Sequence, residues 1–201
     1  MRNTGPKTRL ARRQGEALRD KDVKYLTKRN YPPGMHGTAR RRKSEYGIQL
    51  AEKQKAKRIY DITERQFRRY ADQAARKRGM TGELLLESLE FRLDNVVYRL
   101  GFAASRPQAR QIVGHGFVTV NGKKVNIPSY HVSIGDEIAI AESKKKSKYA
   151  ERLGTLIKEY QPQDWLTLFS KELKGKILSK PTYNNTSSSI QSQLIVEYYS
   201  R

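Results

Sequence analysis

The spacing of apolar residues predicts two helices in the first half of the chain. Ser44 can cap a helix that runs to about Tyr60, and Thr63 can cap a second that ends near Gly79. In the second helix the apolar stripe recurs every three or four positions, at Phe67, Tyr70, Ala71 and Ala74. A spacing of this kind is typical of helices with one buried face.

A denser apolar stripe begins after Thr81 and continues to Gly101. We interpret it as core and predict a domain boundary inside it, near Glu90. Residues 91–141 follow it and show a different pattern, in which short helix and strand signals are closely spaced.

Helix and strand signals alternate within this compact region. Ser105 can cap a short helix over residues 106–113. Asn121-Gly122 lies between two alternating stretches, which is a strong signal for a hairpin. Gly135-Asp136 predicts a second turn, into another strand. We therefore expect two helices packed on a short, mostly antiparallel sheet.

Three further elements are predicted after residue 141. A helix carries Tyr149 and Leu153 and is stopped by Pro162, and a strand over residues 165–169 can pair with one near Ile177. Residues 190–200 fit a helix or a strand by their period alone.

Positive charge is concentrated at the start of the chain. Lysine and arginine total 41 against 20 aspartate and glutamate, a net charge of +21, and residues 1–43 hold 14 of the basic and 3 of the acidic residues. This segment has no sustained apolar period. We interpret it as a basic arm with one short turn or helix that wraps phosphates, and an unstructured solubilising tail is the alternative. Nucleic acid is the leading partner class and an anionic membrane surface the second.

The residues needed for several kinds of functional site are missing from the sequence. The chain has no cysteine, which excludes a disulfide scaffold, a thiolate zinc site and a cysteine nucleophile. No apolar run is long enough to span a membrane, and no phosphate-binding loop of the Walker type appears. The three histidines are scattered. We expect no catalytic residue, no metal and no cofactor.

Four segments of the compact region, residues 92–99, 105–111, 120–122 and 135–136, resemble the small RNA-binding module named after small-subunit ribosomal protein four. That module also occurs in pseudouridine synthases, tyrosyl-tRNA synthetases and small heat-shock RNA binders. The flanking segments resemble the bacterial-type ribosomal protein family itself, at residues 33–37, 44–50, 52–55, 64–68 and 194–201. The resemblance covers nearly the whole chain and favours a helix for residues 190–200.

The resemblance implies an α+β protein: a basic arm (residues 1–43), a helical domain (44–90, completed by 160–201), and a small α/β RNA-binding module with a trailing helix (91–159). Its implied function is structural. Family members bind small-subunit ribosomal RNA early, nucleate assembly and contribute to translational accuracy. The implied partners are that RNA, neighbouring small-subunit ribosomal proteins and, as a further candidate, messenger RNA. The protein would act as a monomer within the ribosome, and a membrane is not an expected partner.

Two alternatives stay open at this point. An RNA-modifying enzyme or a stress RNA binder could share the module, although only about 60 C-terminal residues would remain for a catalytic domain. The location is a bacterial cytoplasm or an organellar stroma or matrix. Some bacterial members carry a cysteine zinc site in the arm, and this chain must organise its arm without metal.

We expect RNA contacts from the following residues: Arg9, Arg12, Arg13, Arg40, Arg41, Arg42, Lys43, Lys53, Lys55, Arg58, Arg65, Arg69, Arg92, Arg99, Ser105, Arg106, Arg110, Gln111, His115, Asn121, Lys123 and Lys124. Arg106 and Arg110, four residues apart on one helix, are expected to grip phosphates while contributing little to stability. Asp94 is expected to orient Arg92 or Arg99.

Overall fold

The computed structural model describes residues 5–39, 42, 44–157, 160–181 and 189–200. These residues form two compact units. The helical unit comprises the described residues up to Leu85 and those from Ser189 onward, and the sheet unit comprises those from Leu86 to Pro181. Among the described residues, no helix combines the length and apolar character needed to cross a membrane.

The described part of the helical unit contains α1 (Lys7–Gln14), α2 (Asp20–Lys28), α3 (Glu45–Ile59), α4 (Glu64–Ala75), the start of α5 (Thr81–Glu90), and the C-terminal helix α10 (Ser192–Tyr199). The Ser44 hydroxyl accepts a hydrogen bond from the Gly47 N–H at 3.2 Å, which confirms the predicted cap of α3. Thr63 precedes α4, but its hydroxyl accepts no backbone hydrogen bond there.

The N-terminal segment differs from the expected arm, because it contains two helices and contributes to packing. Ala11 on α1 is fully buried. Lys7 forms an ion pair with Asp61 at 3.3 Å, and the Thr8 hydroxyl donates to the buried Asp22 at 2.7 Å. Polar contacts to distant residues replace the apolar stripe that the segment lacks. Arg40, Arg41 and Lys43 lie outside the described residues.

Helix α10 packs against α3, as the resemblance favoured. The Gln49 amide donates to Glu197 at 3.1 Å. The Tyr199 ring stacks on Phe67 with 6.1 Å between ring centroids, and its hydroxyl donates to Glu64 at 2.9 Å. The C-terminal helix therefore packs with α3 and α4 in the described helical unit.

The sheet unit continues with α6 (Leu93–Arg99), α7 (Arg106–Gly114), β1 (Val118–Val120), β2 (Lys123–Lys124), β3 (Glu137–Ile140), α8 (Glu142–Lys145), α9 (Lys148–Leu156), β4 (Leu166–Phe169) and β5 (Lys174–Ile177). The five described strands pair antiparallel in the order β2-β1-β3-β5-β4. The mixed helix-and-sheet class is confirmed. Asn121 and Gly122 have φ of 49° and 76°, the geometry that a tight hairpin between twisted strands requires.

The predicted stripe from Thr81 to Gly101 forms two helices. Helix α5 ends at Glu90, and α6 begins after Arg92, whose backbone forms a β-bridge with His131. The apolar residues of α6 and α7 pack in one cluster with those of β1 and β3 and with Trp165.

One predicted boundary is wrong. The predicted helical domain includes residues 160–201, but residues 166–177 form β4 and β5 and extend the sheet of the other unit. The pairing places Gly175 opposite Ile138, and the absence of a side chain at Gly175 leaves room for Leu100, which is fully buried. Strand pairing across such a separation depends on tertiary fit rather than on local pattern.

Candidate nucleic-acid interface

Asp94, which is 4% exposed, holds two arginines. Arg92 donates to it through Nε at 3.0 Å and Nη2 at 2.7 Å. Arg110 donates from α7 through Nε at 3.1 Å and Nη2 at 2.8 Å. Because charged groups on both sides strengthen these bonds, the side chains of α6 and α7 are firmly linked here.

A second network surrounds Glu90, which is fully buried. Arg99 donates to this carboxylate through Nε at 3.0 Å and Nη2 at 2.7 Å, and the Asn95 amide donates to it at 2.6 Å. The oxygen of the same amide accepts from Arg106 Nε at 2.8 Å, and the Arg106 guanidinium lies 4.6 Å from the centroid of the Tyr98 ring. The Asn95 hydrogen bond and the Tyr98 ring together fix the orientation of the Arg106 guanidinium plane.

The expected role of Asp94 holds for Arg92, whereas Arg99 uses Glu90 instead. The expectation that Arg110 contributes little to stability conflicts with the structure, because Arg110 is a partner of a buried carboxylate. Sequence spacing showed that Arg106 and Arg110 share a helix, but it did not show what α6 places opposite them.

The helix that carries these arginines begins after Ser105, whose side chain forms no capping hydrogen bond. The Gln108 side chain accepts from the Ala104 N–H at 3.0 Å instead. Gln111 and His115 are exposed toward the end of the helix.

Lys123 and Lys124 are exposed on the β1–β2 hairpin. The exposed Asn121 joins this hairpin to the next turn: its amide donates to Asp136 at 2.8 Å and accepts from the Glu137 N–H at 2.9 Å. Asn121 thus has a structural role that its place in the hairpin signal did not reveal.

Lys144 is a cation that the sequence did not single out. Its Nζ lies 5.1 Å from the centroid of the Phe117 ring. The only available signal was the run of three lysines at residues 144–146.

Two lysines of α3 are directed into the helical unit. The Lys53 side chain is 5% exposed, donates to Glu64 at 2.8 Å and lies 4.5 Å from the centroid of the Tyr198 ring. Lys55 donates to the Ser189 carbonyl and lies 3.6 Å from the Glu16 carboxylate.

Glu64 gathers these contacts at the start of α4. Burial by itself raises its pKa, but hydrogen bonds from Lys53, Lys57 and Tyr199 outweigh that effect and lower the pKa to about 2. The carboxylate therefore stays ionised over the working range of the protein and holds α3, α4 and α10 together.

Other cations of the helical unit are exposed: Arg9, Arg13, Arg42, Arg65 and Arg69. Arg12 is half-buried, with its guanidinium 5.0 Å from the centroid of the Tyr31 ring, and its Nε is buried without a hydrogen-bond partner in the described structure. Burial, and next the positive charge of Arg13, lower the pKa of the Arg58 guanidinium. The packing of α1 against α3 thus concentrates positive charge.

Comparison with known proteins adds two family matches and several close relatives. Residues 2–90 match the family described as ribosomal protein S4/S9 N-terminal domain, and residues 91–138 match the S4 domain. The chain is 50% identical to small ribosomal subunit protein uS4A of Symbiobacterium thermophilum, 49% to uS4 of Chloroflexus aurantiacus and 50% to uS4 of Dictyoglomus turgidum. Each comparison covers 100% of this chain and 99% of the relative.

Proposed function

Because the chain belongs to the uS4 family of small-ribosomal-subunit proteins, we propose that it binds small-subunit ribosomal RNA as a structural component of that subunit. The observation that carries the proposal is the match over the full length of the relatives, at about half identity and including both family domains. The family is one of structural ribosomal proteins and not of enzymes, so the enzyme alternative is set aside.

The distribution of exposed cations supports binding through both units. On the helical unit they lie on α1 and α4, and on the sheet unit on the β1–β2 hairpin and, half-buried, on α7. Contacts of this kind go mainly to phosphates and recognise the shape of folded RNA.

We propose a smaller set of RNA contacts than the sequence predicts. Lys53 and Arg92 leave it because both side chains are buried and paired with carboxylates. Lys55 and Arg99 stay in it, as Arg110 does, because 17%, 14% and 20% of their side chains are exposed although internal partners hold their charged groups. The described residues that stay are Arg9, Arg12, Arg13, Arg42, Lys55, Arg58, Arg65, Arg69, Arg99, Ser105, Arg106, Arg110, Gln111, His115, Asn121, Lys123 and Lys124, and we add Lys144.

Early binding, nucleation of assembly and an effect on translational accuracy are part of the proposal, as are contacts with neighbouring ribosomal proteins and with messenger RNA. Their support is membership of the family. A cytoplasmic bacterial ribosome is the proposed location, because the relatives named above come from bacteria.

The test compares binding of the full chain to the 5′ region of small-subunit ribosomal RNA and to an unrelated folded RNA of equal length. We expect a preference for the first and a steep salt dependence, with a log–log slope of about −0.7 to −0.9 for each phosphate neutralised. Replacing Lys123 and Lys124 by Gln should make the slope shallower by about two phosphates.

The matched control is Lys171→Gln, which changes an exposed lysine of the sheet unit outside the proposed set and should leave the slope unchanged. A slope near that of a single contact, or equal affinity for the two RNAs, would contradict the proposal. Co-sedimentation with small ribosomal subunits then tests the place of action.

A further inference from the structure

Four arginines of the sheet unit are held by buried side chains near α7. Two buried carboxylates and one amide engage four guanidiniums, those of Arg92, Arg99, Arg106 and Arg110. A buried ion pair is weak evidence for stability, because the loss of hydration of both charges offsets much of their attraction. What such a network does supply is a fixed direction for each planar side chain.

The direction is set most clearly at Arg110 and Arg106. Arg110 places Nε and Nη2 on the same Asp94 oxygen, Oδ2, at 3.1 and 2.8 Å, while 20% of its side chain remains exposed. Arg106 has Nε on Asn95 Oδ1 at 2.8 Å and its face over Tyr98. A guanidinium whose plane is fixed in this way directs its N–H groups at a set angle, and that geometry suits the paired oxygens of a phosphate.

We propose that Asp94 and Asn95 are positioning residues for RNA binding, which hold Arg110 and Arg106 in the orientation that meets two phosphates of a folded RNA. The inference rests on the proposed function. Neither Asp94 nor Asn95 contacts the RNA. Their effect is transmitted through the arginines, whose side chains lose less freedom on binding because they are already held.

Positioning and simple electrostatics predict opposite signs for one substitution. Asp94→Asn removes a negative charge from a protein with a net charge of +21, so attraction to every RNA increases. If Asp94 positions Arg110, the same change weakens binding to the folded ribosomal RNA, because the guanidinium loses its charged anchor. Binding to unstructured poly(U) has no fixed phosphate geometry and should stay equal or become tighter.

The experiment measures the affinity of the full chain, wild type and variants, for the 5′ ribosomal RNA region and for poly(U) in the same buffer. Asp94→Asn should bind the ribosomal RNA about tenfold more weakly, the equivalent of one hydrogen bond to a charged group, with no loss on poly(U). The control is Glu151→Gln on α9, which removes one exposed negative charge and should weaken neither complex. Fluorescence of Trp165, the only tryptophan, which is buried in the same unit, verifies that each variant is folded.

Arg110→Lys and Arg110→Gln decide the matter if Asp94→Asn fails to fold. Lysine keeps the charge but cannot place two N–H groups of a fixed plane on Asp94, so both variants should lose ribosomal RNA affinity to a similar extent. Wild-type affinity in Arg110→Lys, or in folded Asp94→Asn, would overturn the positioning role. If the wild-type protein itself shows no preference for ribosomal RNA over poly(U), the proposed function fails instead.

Discussion

The sequence and the structure predict different roles for Lys53, and the substitution Lys53→Met tests which role is right. The sequence places this lysine in an RNA-binding set, whereas the structure directs it toward Glu64 and Tyr198. Methionine keeps the apolar stem but removes the charge. We therefore expect a loss of local stability in the helical unit and no loss of RNA affinity.

The magnitude follows from the contacts that disappear. A hydrogen bond to a charged group contributes about 1.5–3 kcal/mol. The lower end applies here, because the Glu64 side chain is 44% exposed and keeps Lys57 at 2.9 Å and Tyr199 at 2.9 Å as partners. The substitution also removes the attraction between the ammonium and the Tyr198 ring. Part of this loss is offset, because the variant no longer has a buried charge whose loss of hydration costs free energy. We expect a net destabilisation of about 1–2 kcal/mol.

Native-state hydrogen exchange of the amides in α3 and α10 measures this loss where it occurs. A decrease of 1–2 kcal/mol in opening free energy corresponds to exchange faster by roughly 5- to 30-fold. The paired RNA measurement should show a change below about 0.5 kcal/mol for Lys53→Met. Arg65→Gln, an exposed cation on α4, should show the reverse pattern.

An internal role for Lys53 is refuted if Lys53→Met lowers RNA affinity and the salt slope as much as Arg65→Gln while exchange in α10 is unchanged. That combination would place the ammonium on the RNA side. Faster exchange with intact binding would confirm that Lys53 is an internal brace.

Acid titration and core packing are each testable by a single substitution. The pKa of Glu64 is lowered to about 2 from an ordinary 4.5, so its contribution to stability is present above pH 4.5 and is lost as the pH falls toward 2. In Glu64→Gln, the urea midpoint should therefore depend less on pH between 4.5 and 2 than in the wild type. Gly175→Ala would place its Cβ 2.7 Å from a methyl carbon of the buried Leu100 and should destabilise the sheet unit by about 1–3 kcal/mol, measured by urea unfolding followed at Trp165; an unchanged midpoint would show that the core can yield. Leu93→Ala leaves a cavity at a fully buried position and should cost about 2–5 kcal/mol in the same assay, with RNA affinity retained while the protein is folded; a loss of affinity in the folded variant would count against a purely structural role.

Features that depend on neighbouring residues are predictable from the amino-acid sequence alone. Ser44 caps α3, and Asn121-Gly122 forms a hairpin turn with both φ angles positive. The period of residues 190–200 fits a helix or a strand, and the family resemblance favours the helix that the structure has there. The comparisons confirm the family resemblance. Turns and caps are short-range interactions, and a few residues contain the information that specifies them.

Which cations face inward depends on the tertiary structure. Arg110 is sixteen residues from Asp94, and Lys53 is eleven from Glu64, so no local spacing relates either cation to its carboxylate. The same reason explains why β4 and β5 joined the sheet of the other unit: the pairing of Gly175 with Ile138 depends on the space that Leu100 fills. Composition determined that the chain carries a large positive charge, and the fold determined which of those charges remain at the surface, because burial and ion pairing depend on residues far apart in sequence.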